Sequence, residues 1–218
     1  MIDTIFFDFN GTIINDVELC LNILNKMLID DEKKPITKKR YLEIFDFPVI
    51  EYYKKAGFDF KRKSFEEMSL DFINLYQKAS LNCPLYNNSC KVFQRLKAKG
   101  IKLVILSASQ IDNLKEQTNH FNITKYFDDI LGITDIYARS KVDIGIDYIN
   151  RLNIDKAKTI MLGDTIHDFE VATKMEITPV LFTKGHQSKE RLSKMGSRLV
   201  SSYLEFERLV EEANENNY

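Results

Sequence analysis

Short apolar runs recur along this chain, and the sequence between them has helical spacing. The runs cover residues 2–7, 101–106, 130–133, 159–162 and 179–182, with Leu199-Val200 as a sixth. A strand with one wet face alternates apolar and polar residues, whereas a strand covered on both faces is apolar throughout. These runs are of the second kind. Helical patterns occupy 90–99, 111–121, 142–152, 169–175 and 189–194. The alternation predicts an α/β fold, a Rossmann-like parallel sheet with helices on both faces.

One stretch breaks the alternation. Between Asp16 and Cys83 nothing reads as a strand, while 17–29, 38–44, 49–55 and 65–79 have helical patterns punctuated by Pro35, Pro48 and Gly57. The expected organisation is therefore a core domain from residues 1–15 and 84–218, carrying an inserted α-helical cap domain of residues 16–83. Hinges are expected near Ile14-Asn15 and Cys83-Pro84.

The net charge of −1 gives no global basic field, which argues against nucleic acid or an anionic membrane as partner. No apolar run reaches the ~18 residues of a membrane span. The first residues go straight into strand-like sequence without a basic leader. Three cysteines, none in a CxxC pair, fit a reducing cytoplasm. The basic clusters Lys38-Lys39-Arg40 and Lys61-Arg62-Lys63 read as solvated helix ends.

Ligands of parallel sheets bind beyond the carboxyl ends of the strands. The first strand ends at Asp8, in Asp8-Phe9-Asn10-Gly11-Thr12. The second ends at Ser107-Ala108-Ser109. The fourth ends in Gly163-Asp164-Thr165-Ile166-His167-Asp168, and Lys141 opens the preceding helix. Carboxylates, a hydroxyl and an ammonium on one face suit a divalent cation and a phosphoryl group. Mg²⁺ takes hard oxygen ligands, which Asp8, Asp164 and the main-chain carbonyl of residue 10 can supply, with Asp168 in the outer shell. Ser107, Lys141 and the backbone N–H groups of the Asn10-Gly11-Thr12 turn suit an anion. Each residue also has a plain structural role open to it: Asn10-Gly11 as a tight turn, Ser107 and Asp168 as helix caps, Lys141 as a surface lysine.

Taken in order, these segments resemble the motifs of the haloacid dehalogenase superfamily of phosphohydrolases, in the subclass with a helical cap after the first strand. The tail from Gly185 to Leu209 is similar to the last strand-and-helix segment of phosphoglycolate phosphatase-like members. The resemblance implies a Mg²⁺-dependent phosphohydrolase acting on a small phosphorylated metabolite through an aspartyl-phosphate intermediate. Asp8 would be nucleophile and metal ligand. Gly11, Thr12, Ser107, Ala108 and Lys141 would surround the phosphate. Asp164 and Asp168 would complete the metal site.

The chain departs from that pattern at residue 10, where the general acid/base carboxylate of the family is an asparagine. A carboxamide donates hydrogen bonds but transfers no proton at neutral pH, so the expectation is weakened proton transfer. His167 and His186 are candidate replacements, each with a structural alternative, and His120 reads as structural. The rival class is a catalytically silent binder of phosphorylated ligands. Metal-independent dehalogenation is disfavoured by the Asp164/Asp168 pair. A phosphorelay receiver would not carry its aspartate on the first strand. Substrate selection is expected in the cap; 45–55 has tyrosines and lysines able to meet the far end of a small substrate, an ordinary amphipathic cap helix fits the same residues, and none is assigned a role.

Overall fold

The computed structural model describes residues 1–134 and 140–215. The first strand, β1 (Thr4–Phe7), is followed by four helices: α1 (Val17–Asp30), α2 (Lys38–Ile44), α3 (Val49–Ala56) and α4 (Phe65–Ser80). The alternating part then runs α5 (Ser89–Ala98), β2 (Lys102–Gln110), α6 (Ile111–His120), β3 (Asp129–Ile133), α7 (Lys141–Leu152) and β4 (Thr159–Gly163). It closes with α8 (Ile166–Lys174), β5 (Thr178–Phe182), α9 (Lys189–Leu192), β6 (Arg198–Val200) and α10 (Tyr203–Glu215).

The strands form one parallel sheet in the order β3-β2-β1-β4-β5-β6. β1 lies at its centre, with Phe7 beside Ile105 on one side and Leu162 on the other. Successive side chains of a strand point to opposite faces. Phe7 accordingly packs with Phe93, Tyr203 and Phe206, while Phe6 packs with Leu106, Tyr148 and Met161 on the other face. Both faces are covered, which is why the central stretches of the strands, such as Ile5–Phe7 and Leu103–Leu106, are apolar on both sides. Deleting a buried ring such as Phe7 costs ~3–5 kcal/mol.

The helical insertion has an apolar centre of its own, in which Leu24, Leu28, Tyr41, Tyr53, Phe58 and Met68 are buried together. The chain leaves the sheet domain and returns to it side by side. Asn15 N–H donates to the Pro84 carbonyl at 2.9 Å, and Ile14 and Leu85 form an antiparallel bridge. Further bonds seat the insertion on the sheet domain: Gln187 to the Phe45 carbonyl at 2.9 Å, Arg191 to Asp46 at 3.0 Å and Gln117 to Ser80 at 2.8 Å.

Two boundaries differ from the sequence pattern by three residues or more. β2 continues to Gln110 through polar residues, with a register shift between Leu106 and Gln110. Such irregularities re-aim side chains. α8 starts three residues earlier than its apolar pattern, because Thr165 and Asp168 form a capping box ahead of it. α10 buries Tyr203, Phe206 and Val210 beneath β1. Among the described residues no helix is long and apolar enough to cross a membrane.

Candidate active site

The ends of β1 and β4 are neighbours, so the residues that follow them meet. Asp8 N–H donates to the Leu162 carbonyl at 2.9 Å, which carries the strand pairing one residue past β1. Ser140 and Asp143 form the capping box that starts α7. Lys141, its first residue, thereby reaches the same point, with its ammonium bonded to Asp8 Oδ1 and, at 2.6 Å, to Asp168 Oδ1.

Asp168 is held on its other oxygen as well. Oδ2 accepts from the Thr165 hydroxyl at 2.6 Å and from the N–H groups of Thr165 and Asp164. Its filled oxygens suit it to orienting Lys141 and the Asp164 loop. Asp164 accepts from the Thr12 hydroxyl at 3.0 Å and from His186 N–H at 2.6 Å. Gly11 is required for this approach. Its φ is +69°, and a Cβ there would lie 2.4 Å from Asp164 Oδ2.

All four charged groups are buried. Burial pushes the Asp8 carboxyl well above the ordinary range, against the pull of Lys141, and the charges of Asp168 and Asp164 add to the rise. Burial, with Asp168 adding, raises Asp164 to about 7, although the charge of His186 opposes it. Burial would also raise Asp168, but the charge and hydrogen bond of Lys141 outweigh it and hold the carboxyl low. Three carboxylates thus face one ammonium, and oxygens of Asp8, Asp164 and Asp168 lie within 4.8 Å of one another. An all-oxygen donor set with excess negative charge fits a hard divalent cation.

Asn10 has both ends of its carboxamide engaged. Nδ2 donates to Tyr76 Oη at 2.6 Å and to Asp16 Oδ2 at 3.1 Å, and Oδ1 accepts from Ser109 Oγ at 3.0 Å. Asp16 also accepts from Gly11 N–H at 2.8 Å, bonds His186 Nε2 at 3.1 Å and accepts from Tyr76 Oη at 2.6 Å. The other ring nitrogen of His186 bonds Tyr41 Oη at 2.8 Å. Burial opposes ionisation of both members of this pair. The charge of His186 and the three side-chain hydrogen bonds nevertheless hold Asp16 below its usual value. Asp16 in turn raises His186 to about 9.

These groups floor a cavity of about 400 Å³ between the sheet domain and the helical insertion. Asp8, Asn10, Ser107, Ala108, Lys141, Asp164 and Asp168 all line it, as their places in the sequence led us to expect. Gly11 and Thr12 do not. The Gly11 N–H is spent on Asp16 and Ile14, and the Thr12 N–H points to the Phe9 carbonyl, so the expected anion nest of this turn is not open to the cavity. His167 lines the cavity beside Phe47, their ring centres 4.7 Å apart. His120 packs on Phe121 and lies outside the lining.

Sequence reasoning missed Asp16, Tyr41 and Tyr76. Asp16 precedes α1 and has the look of a helix cap, yet its side chain makes no capping bond. The two tyrosines sit in amphipathic helices whose facing is decided only by how the insertion docks. The lysines of residues 45–55 stay out of the cavity: Lys54 pairs with Glu51 at 2.7 Å and Lys55 with Asp46 at 3.6 Å, and neither lines it.

The family profile described as haloacid dehalogenase-like hydrolase matches residues 5–182. The chain belongs to that family. It is 24% identical over 178 residues to the pyrophosphatase PpaX of Listeria innocua, covering 80% of each chain. Among solved structures it is similar to a crystal structure from Clostridium acetobutylicum described as a predicted phosphatase. There the TM-score is 0.80 at 22% identity, over 97% of this chain and 99% of that one. A haloacid dehalogenase-like hydrolase from Streptococcus pneumoniae also superimposes with TM-score 0.80, at 17% identity over 94% of this chain and 96% of the other.

Proposed function

We propose that the chain is a Mg²⁺-dependent phosphohydrolase of small phosphorylated metabolites, with Asp8 as its nucleophile. The observation that carries this reading is the ion-paired Asp8 at the end of the central strand, with Lys141, Asp164 and Asp168 around it on the cavity floor. An Asp8 oxygen attacks phosphorus, and the bond to the leaving-group oxygen breaks with its electron pair. Water then attacks the same phosphorus, the bond to Asp8 breaks, and phosphate leaves with the carboxylate restored. Ser107 and Lys141, both in the lining, are suited to meet the equatorial oxygens. Asp8, Asp164 and the Asn10 carbonyl would hold Mg²⁺, with Asp168 in support. The ion, when bound, supplies charge neutralisation for the phosphoryl group.

Asn10 leaves the leaving group without a proton donor at that position. General acid/base catalysis is worth ~10²–10⁴-fold, so esters with poor leaving groups are expected to turn over slowly. The free cysteines keep a cytoplasmic setting part of this reading. Hydrolysis of p-nitrophenyl phosphate, whose leaving group needs no proton, is the test. Turnover that requires Mg²⁺ and vanishes in Asp8→Asn supports the reading, and metal-independent turnover retained by Asp8→Asn removes it.

A second reading is a catalytically silent binder of phosphorylated ligands. Its support is the engagement of Asn10 at both ends, which stabilises a carboxamide where an enzyme of this kind would use an acid. Ligand binding without turnover in wild type, with turnover in Asn10→Asp, would favour it.

A further inference from the structure

The cavity is chemically divided. Its floor carries the carboxylates of Asp8, Asp16, Asp164 and Asp168. Its roof, supplied by the helical insertion, is aromatic and aliphatic: Phe45, Tyr52, Phe65, Phe72, Ile73 and Tyr76 all line it. Among the described lining residues Lys141 is the one lysine or arginine, and it is already bonded to two carboxylates. The imidazole of His186 is likewise committed, between Asp16 and Tyr41. The amides on the remaining wall are largely engaged too, since Gln77 donates to Glu116 at 2.8 Å and Gln117 to Ser80.

This arrangement sets conditions on the far end of a substrate whose phosphate lies on the floor. A second anionic group would enter a cavity already rich in carboxylates, with no uncommitted lysine or arginine among the described lining residues. Burial lowers the pKa of the lining imidazole of His167 and so disfavours its charge. Burying an unpaired charge is strongly unfavourable. A flat apolar group would instead meet aromatic faces, which bind by area and by offset or edge-on ring contacts. Asn10 adds an independent condition. It can hydrogen-bond a leaving oxygen but not protonate it, and a phenol ionises near pH ~10, so an aryl oxygen leaves as the anion unaided.

The geometry points to an aryl phosphate monoester, an aromatic ring carrying one phosphate and no second anionic group, as the substrate class of this site. This rests on the phosphohydrolase reading above. It sets the chain apart from an enzyme built for pyrophosphate, whose second phosphate would occupy the apolar half of the cavity. The reaction breaks the P–O bond to the ring oxygen and yields a phenol and inorganic phosphate, with water as the co-reactant.

The test compares kcat/KM for 2-naphthyl phosphate, 6-carboxy-2-naphthyl phosphate, 2-phosphoglycolate and pyrophosphate, with p-nitrophenyl phosphate as reference. The neutral naphthyl ester is expected to exceed each doubly anionic compound by about tenfold or more. Equal or better use of pyrophosphate or of the carboxylated ester would overturn the inference. Ile73→Arg, which places a cation on an exposed part of the roof, is expected to raise kcat/KM for the carboxylated ester several-fold. An unchanged value counts against the charge argument. If p-nitrophenyl phosphate and the rest are all inert, the phosphohydrolase reading fails, and calorimetry with non-hydrolysable phosphonates still decides the ligand class. Tighter binding of 2-naphthylmethylphosphonate than of phosphonoacetate supports an aryl ligand, and the reverse order overturns it.

Discussion

Asn10 and Asp16 are joined by a hydrogen bond of 3.1 Å from Nδ2 to Oδ2, inside the same cavity that holds the nucleophile candidate Asp8. The carboxylate absent from residue 10 therefore has a neighbour six positions along the chain, at the entrance to α1. Restoring an acid at residue 10 is not a simple reversion, because it sets two carboxylates face to face.

Asn10→Asp is expected to behave as a coupled pair. Two carboxylates at ~3 Å share a proton, and one step of the pair titrates well above the ordinary range. That proton is available to a leaving group. Turnover of an alkyl phosphate should rise by ~10²-fold on the acid side and fall as pH passes the raised value. A pH profile of kcat checks it. No gain at any pH would mean that residue 10 does not reach the leaving oxygen.

Asp164→Asn should separate stability from metal binding. With its folded pKa raised from 3.8 to about 7, Asp164 destabilises the metal-free fold progressively between those values and fully above 7, because the unfolded chain ionises more readily. The asparagine should therefore raise stability at pH 8 by ~1–3 kcal/mol without metal. On the proposed metal site, Mg²⁺ is expected to raise the Tm of the wild type, and the asparagine should abolish that rise together with activity. Thermal melts with and without Mg²⁺ decide this. A full Mg²⁺ shift in the variant would place the ion elsewhere.

The Asp16–His186 pair links stability to alkaline pH. His186 is raised from 6.5 to about 9, so its contribution is complete below 6.5 and is lost as pH climbs through 9. Between those values one proton changes the unfolding free energy by ~1.4 kcal/mol per pH unit. Asp16, held low, contributes above its unfolded value and loses that contribution only in acid. The Tm should decline from pH 6.5 to 9 in wild type and decline less in His186→Gln. Equal slopes would show that the pair does not govern this range.

Gly11→Ala is expected to damage fold and site together. The new Cβ would sit 2.4 Å from Asp164 Oδ2 and 2.5 Å from His186 Cδ2, on a backbone with φ of +69°. A destabilisation of ~2–4 kcal/mol is expected, read by urea unfolding, with loss of turnover. A variant with wild-type stability and activity would mean that this crowding is relieved at no cost.

Much of the site was legible because the sheet announces itself. Doubly buried strands are apolar to their last residue, so Asp8 and Asp164 stand out as the first charges beyond β1 and β4. Lys141 stands out as the cation that opens α7. Ser107 lines the cavity, but it does not end its strand: β2 runs on to Gln110 through polar residues that hide the strand's apolar signature. What the insertion contributes was not legible. Tyr41 and Tyr76 are aromatic residues of amphipathic helices, and periodicity alone does not distinguish a ring in the packed centre from a hydroxyl aimed at Asp16 or His186. His186 was a candidate from its place after β5, but its partners Asp16 and Tyr41 come from the start of α1 and from α2 and were hidden by the same ambiguity.

The paired crossing at Ile14 and Leu85 makes the helical insertion a cassette. Its two ends leave the sheet domain as hydrogen-bonded neighbours, so the span between them can be exchanged without altering a strand. The bonds that seat it on the sheet domain limit the exchange, and two of its fittings reach the site itself. A replacement must offer His186 a partner in place of Tyr41 and must supply the hydroxyl that Tyr76 gives to Asp16 and Asn10. A graft that carries both would give the same carboxylate-lined floor a new roof, and with it a new choice of molecule.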